Sequence, residues 1–365
     1  MAKSPARSRY TINNGSLLLG VAGAESSKPR PRGLQRDLNL SSANPTIHEP
    51  APLPRWLHRW AVLTVCFTLA LLGLGAVVTT FRVGMADPIW PTYPWHLLLI
   101  NWQEPSPGLI IEHTHRAAGY VVGAASIVLA VGLWFSRPWR TLGWLGILAL
   151  LGVIAQGVLG GLRVRLNALF GTDLAALHGS FAQLVLALLV GLAVITSRNW
   201  ATPVVSASPV ESIRLRRLAL LAAVLIYLQI MLGSLVRHNL FAALGQRGHL
   251  LIAFAVVIAI TFLVKGIFQS PAATRGMATA ATLLVAFVVL QLVLGAEAWI
   301  AKFGPGGPAD MRPVTVHQAV IRTAHFLVGS GIFATSVVIA LQAYRQTMPV
   351  AVLAPSSVGP VGETA

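Results

Sequence analysis

The sequence predicts an all-α polytopic membrane protein with eight transmembrane helices, and three observations predict it. Apolar residues make up 55% of the 365 positions and charged ones only 10%, where a soluble domain carries about 25% charge. The mean hydropathy is +0.71. Eight apolar stretches reach or approach the roughly 20 residues that a helix needs to cross a bilayer core; they run over 60–81, 109–135, 142–162, 173–197, 218–236, 248–268, 277–300 and 314–343.

Taken in order, residues 1–55 come first. They hold Lys3, Arg7, Arg9, Lys28, Arg30, Arg32, Arg36 and Arg55 among Ser, Pro, Asn and Gly. Without apolar periodicity they are expected to form a disordered cytoplasmic tail. The apolar patch Leu17–Ala24 is short and far ahead of the first span, which makes it a poor signal-peptide core. Turn and charge signals then punctuate the spans: "SRPWR" at 136–140, "SRNWATP" at 197–203, "SPAATR" at 270–275 and "KFGPGGPADMRP" at 302–313. Residues 346–365 are expected to be a second disordered tail. The single cysteine, Cys66, lies inside the first span, so the chain has no disulfide framework or thiolate metal site of its own, and the thiol is expected to be a small buried hydrophobe.

The charges that the spans exclude orient the chain. The formal net charge is +16. An even number of spans puts both termini on one side, and that side collects eighteen Lys and Arg residues against seven on the other, with Arg116 and Arg322 inside spans. The positive-inside rule therefore predicts cytoplasmic termini. The basic surplus reads as an orientation signal in a lipid bilayer rather than a nucleic-acid surface.

Comparing the spans with one another reveals a repeat. Odd spans share a small-residue signature: "VIAQGVLGGL" at 153–162, "IYLQIMLGSL" at 226–235, "VVLQLVLGAE" at 288–297 and, more weakly, "LALLGLGAVV" at 69–78. It offers an amide and a glycine for close helix approach. Even spans carry a histidine near their outer start: His115, His178, His249, and His317 or His325. The chain thus divides into two four-helix halves, 56–200 and 201–345. Ionisable groups in spans mark functional sites, and two facing imidazoles clamp a haem. His178 and His325 each precede the arginine at the cytoplasmic end of their span by twenty residues. His317 lies about 12 Å further out at 1.5 Å per residue, so His325 is preferred and His317 is the alternative. Glu112 and His115 share a helical face beside Arg116; the carboxylate could relay protons or orient substrate, or form a structural pair with the arginine. Arg163, Arg165, Arg237 and Arg247 line the outer ends, where they could bind propionates or snorkel to headgroups.

These residues resemble the haem A synthase family, over residues 60–345. "GAVVTTFRVGMADPIWP" at 75–91 is similar to its G-x-x-V-T-x-x-x-x-G-(L/M)-A-x-x-x-W-P segment, and "EHTHRAAGYVVG" at 112–123 to its E-x-x-H-R-x-x-G box. "QGVLGGLRV" at 156–164 and "HFLVGSGIFATSVV" at 325–338 also match family sequences, the latter supporting His325. The resemblance implies a pair of pseudo-twofold-related four-helix bundles that oxidise a haem O methyl group to the formyl of haem A for cytochrome c oxidase. It implies His115 and His178 as ligands of the substrate haem O, His249 and His325 as ligands of a haem b cofactor, and Glu112, His115 and Arg116 as the catalytic set. Haem O synthase, cytochrome oxidase assembly factors and an unnamed electron donor are the implied partners, in the cell (inner) membrane. Two departures stand out. The outer-loop cysteine pair of some bacterial members is missing, and Gln246 replaces the box glutamate in the second half.

Two other readings compete. A bis-histidine haem b cytochrome passing electrons from quinone would use the same histidines without needing Glu112. A transporter with histidine proton relays would be colourless. Prenyl transfer to haem would ask for Asp-rich Mg²⁺ sites, and the acidic residues in or at the edge of spans are only Glu112, Asp173 and Glu297.

Overall fold

A computed structural model describes residues 53–346 apart from 88, 90–102, 104, 137–139, 202–208, 272 and 305–312. The tails expected over 1–55 and 346–365 lie outside the described residues, except at their inner ends. Among the described residues every regular element is an α-helix: α1 (Arg55–Phe81), α2 (Pro107–Phe135), α3 (Arg140–Arg165), α4 (Asn167–Ile195), the short α5 (Arg198–Ala201), α6 (Pro209–His238), α7 (Ala242–Gln269), α8 (Arg275–Phe303) and α9 (Val316–Gln346). All but α5 are long and apolar enough to cross a membrane. The chain is an all-α, multi-pass membrane protein.

The helices outrun the apolar stretches that announced them. α1 takes in Arg55, His58 and Arg59, and α6 takes in Arg214, Arg216 and Arg217, because the headgroup layers extend the bilayer to about 40–45 Å and tolerate charge. Local chemistry sets several ends. Ser106 caps α2 by accepting from the Leu109 N–H at 3.2 Å, with Pro107 in the first turn. Thr274 caps α8 in the same way through Met277. Arg82 ends α1 in the left-handed conformation. Gly171, with φ +30°, breaks α4 near its start, so the regular helix resumes where the apolar run begins at 173.

Packing places the outer and inner helices. α1, α2, α3 and α4 contact one another in sequence and close between α1 and α4; α6 and α9 likewise join α7 and α8, although α7 and α8 touch less than α2 and α3 do. One apolar core gathers Leu57, Leu129, Leu133 and Leu189 from the first four helices, and a second gathers Leu263, Ile267, Met277, Leu284 and Ile339 from the later ones. Between them α1 meets α9, α4 meets α6, and α4 meets α9. This set is unchanged when α1–α4 are exchanged for α6–α9. A third apolar cluster, with Leu72 and Leu186 against Phe326 and Leu327, fills that junction.

Polar groups cross the junction as well. Fully buried Gln183 donates to Ser330 Oγ at 3.0 Å; each residue stands five positions after its helix's histidine, His178 or His325. Arg237 of α6 donates to the Ala76 carbonyl at 2.6 Å and to Thr80 Oγ1 at 3.0 Å, both on α1. The expectation for Cys66 is corrected: its side chain is exposed on α1. In lipid a small apolar thiol has no need of a protein interior.

Candidate functional site

The repeat seen in the odd and even spans is realised as four copies of one contact. Each of these four histidines packs its imidazole edge on the glycine of the preceding helix: His115 on Gly75, His178 on Gly160, His249 on Gly233 and His325 on Gly295. A methyl group at these glycines would stand 2.9, 3.3, 3.0 and 2.9 Å, respectively, from the imidazole Cε1. The signature glycine therefore makes room for an imidazole as much as for a helix. His249 Nδ1 also lies 3.3 Å from the Gln229 carbonyl, four residues before its glycine. The backbone at Leu71, Gln156 and Gln291 neighbours His115, His178 and His325 in the same relation, although their Nδ1 atoms make no hydrogen bond. Such a carbonyl fixes the imidazole proton on Nδ1 and turns Nε2 toward a ligand.

The histidines fall into two pairs. His115 and His178 are within electrostatic range of each other, and so are His249 and His325. His317 stands apart. Its side chain is 72% exposed and its Nε2 meets Glu297 Oε1 at 3.1 Å. A pair of imidazoles is too few to hold a bare metal ion, for which three or four protein ligands are usual, but it suits haem, whose porphyrin supplies the other ligands. The glycine clefts and the Nδ1 atoms turned to backbone fit that group.

The surroundings of the pairs differ. Above His115, Glu112 is 3% exposed and fully engaged. Its Oε1 accepts from Arg116 Nη2 at 2.6 Å and its Oε2 from the backbone N–H of Asp87 at 2.9 Å. The three residues expected as a catalytic set thus lie together on α2, with Glu112 and Arg116 in an ion pair. Arg163 is within electrostatic range of Glu112, His115 and His178, and its guanidinium packs against Gly84. In the second pair, glutamine amides approach the imidazoles instead: Gln229 Nε2 is 3.4 Å from His249 Nε2, and Gln291 Nε2 is 3.5 Å from His325 Nε2. Arg237 is in electrostatic range of His325 and lies over the Phe326 ring at 5.3 Å. Arg165 and Arg247 are exposed, as snorkelling side chains would be.

Two participants escape the sequence. Asp87 and His113 join Glu112 and Arg116, with His113 Nε2 3.2 Å from Asp87 Oδ2. Asp87 lies in an irregular segment that periodicity does not address; its scarcity, one of 11 acidic residues in the chain, was the available signal.

A family model described as cytochrome oxidase assembly protein matches residues 96–245, which carry Glu112, His115, Arg116, Arg163, His178 and Arg237 and stop short of His249. A haem A synthase of Listeria monocytogenes is 25% identical over 272 residues, covering 67% of this chain and 86% of the relative. Over this range the chain is similar to haem A synthases. Other haem A synthases are also similar. The Shouchella clausii haem A synthase is 27% identical over 186 residues, 50% of this chain and 60% of the relative, and that of Methylorubrum populi is 30% identical over 215 residues, 50% of this chain and 53% of the relative. The chain therefore spans between about half and most of the length of these haem A synthases.

Proposed function

We propose that this protein is itself a haem A synthase, oxidising a methyl group of haem O in successive steps to the formyl group of haem A. The observation that carries the proposal is the duplicated histidine and glycine contact, to which the first pair alone, among the described residues, adds a buried carboxylate in an ion pair with a guanidinium. On this reading His115 and His178 hold the substrate haem O, and His249 and His325 hold haem b. Haem b, when bound, supplies one-electron redox chemistry. Glu112, with both oxygens fixed, presents an oriented carboxylate beside the substrate pair, balanced by Arg116. Arg163 is placed to take a propionate through charge-assisted hydrogen bonds. Burial of the site within the helices excludes water, which strengthens each of these interactions.

The distribution of Lys and Arg supports an orientation with both termini in the cytoplasm and the histidines toward the outer side of the cell (inner) membrane. Haem O synthase as supplier, cytochrome oxidase assembly factors as recipients and an electron donor complete the proposed partners.

Haem extraction from cells that express the protein with a source of haem O tests the proposal: haem A should appear. Bound haem without haem A would favour the bis-histidine cytochrome instead. One observation speaks for that second reading, since Glu112 is tied into an ion pair as a structural clamp would be. Glu112→Ala separates the two: unchanged conversion of haem O by a haem-loaded variant would remove the carboxylate from the mechanism.

A further inference from the structure

Asp87 is buried in the segment after α1, yet it reaches α2 across a separation of 25 residues or more. Arg116 Nη1 meets its Oδ2 at 3.3 Å, and Arg116 Nη2 donates to its carbonyl at 2.7 Å. Arg116 Nη1 also donates to the Ile89 carbonyl at 2.7 Å. The other carboxylate oxygen, Oδ1, accepts from the Ile89 N–H at 2.9 Å, an Asx-type turn that curls the backbone. In that curl the Asp87 N–H points at Glu112 Oε2.

We propose that Asp87 is the positioning residue of Glu112: its side chain shapes the turn whose backbone N–H fixes one carboxylate oxygen, and pins the guanidinium that fixes the other. The proposal rests on the reading of Glu112 as the working carboxylate. Without Asp87, Glu112 and Arg116 would remain an i,i+4 pair on one helix turn, the kind worth only a few tenths of a kcal/mol in isolation. With it, the guanidinium is gripped on both edges and cannot swing away with the glutamate. From the opposite side Arg163 closes on Gly84, where a methyl group would stand 2.5 Å from Nη2, and Val83 packs at Gly108 of α2. The turn is therefore wedged between α2 and α3, and Asp87 is its polar fastening.

The test uses the full-length protein with haem bound. Met85, exposed in the same turn, is changed to cysteine in a Cys66→Ser background, and its labelling by a membrane-impermeant maleimide reports the turn independently of activity. Asp87→Ala should lower kcat for haem O conversion about tenfold or more while KM and haem content stay within about twofold, the signature of lost orientation rather than lost binding. It should also raise the labelling rate about tenfold, the equivalent of one lost buried charge-assisted bond. Asp87→Asn keeps the turn acceptor and loses the ion pairs, so both effects should be smaller, about threefold, on the same principle. Wild-type kcat and labelling in either variant would overturn the proposal. Should Asp87→Ala lose its haem, Asp87→Asn decides the matter by the same two readouts. If the unmutated protein makes no haem A while Asp87→Ala still speeds labelling, the functional reading fails and the fastening of the turn stands.

Discussion

The two histidine pairs share a scaffold and differ in what is hung on it. His115 with Gly75 and His178 with Gly160 repeat in His249 with Gly233 and His325 with Gly295, down to the backbone group that faces Nδ1. Beyond that layer they part. The first pair lies under Glu112, Arg116, His113 and Asp87. The second has Gln246 where Glu112 would be and sets the amides of Gln229 and Gln291 against the imidazoles. An amide can orient an imidazole but carries no charge to exchange. The difference teaches that the two halves hold their imidazoles alike and diverge in the neighbours, which is where the proposed function would be divided.

The comparison breaks most visibly at the ligands. His249→Ala or His325→Ala should remove a bis-histidine haem spectrum and with it all conversion, whereas His115→Ala or His178→Ala should abolish conversion and leave that spectrum, as read by absorption of the purified protein. Next in size is the carboxylate. Glu112→Gln should lower conversion of haem O by about 10²-fold, the range for a positioned acid–base group, with bound haem unchanged. The reciprocal Gln246→Glu should leave the rate nearly as it was if, as proposed, reaction occurs at the first pair; a rise in rate there would undo the division of labour.

The glycines sharpen the shared part. Gly295→Ala and Gly75→Ala, where the new methyl meets the imidazole at 2.9 Å, should cost more haem occupancy than Gly160→Ala at 3.3 Å. Haem-to-protein ratio after purification measures the order. The smallest effects belong to the junction. Arg237→Gln removes a charge-assisted bond and should destabilise by roughly 2 kcal/mol, while Gln183→Ala should cost about 0.6 kcal/mol, the mean for hydrogen bonds between membrane helices; thermal unfolding with haem bound ranks them.

Much of this was legible in the sequence, for physical reasons. A helix in lipid must be apolar for its whole crossing, so run length alone located the eight spans. Depth along a rigid rise favours His325 over His317, and in the structure His325 packs on Gly295 while His317 is exposed and meets Glu297. The signature glycines were visible, but their real neighbour was not, because a glycine in a small-residue stretch does not say whether a backbone or a ring fills the space beside it. Asp87 was hidden since its partners depend on how an irregular segment folds back. Arg237 read as a propionate or headgroup ligand, and its reach to Ala76 and Thr80 depends on the angle between α6 and α1. Cys66 was misjudged because burial in the bilayer and burial in the protein look alike in composition.

Gln183 and Ser330 carry a consequence for ancestry. A residue on the twofold axis of a dimer faces its own copy. The twin positions here hold unlike residues, joined by a 3.0 Å bond. Twin positions that are free to diverge can make that unequal handshake and identical ones cannot, so a gene split between the halves would have to reunite two different proteins rather than two alike.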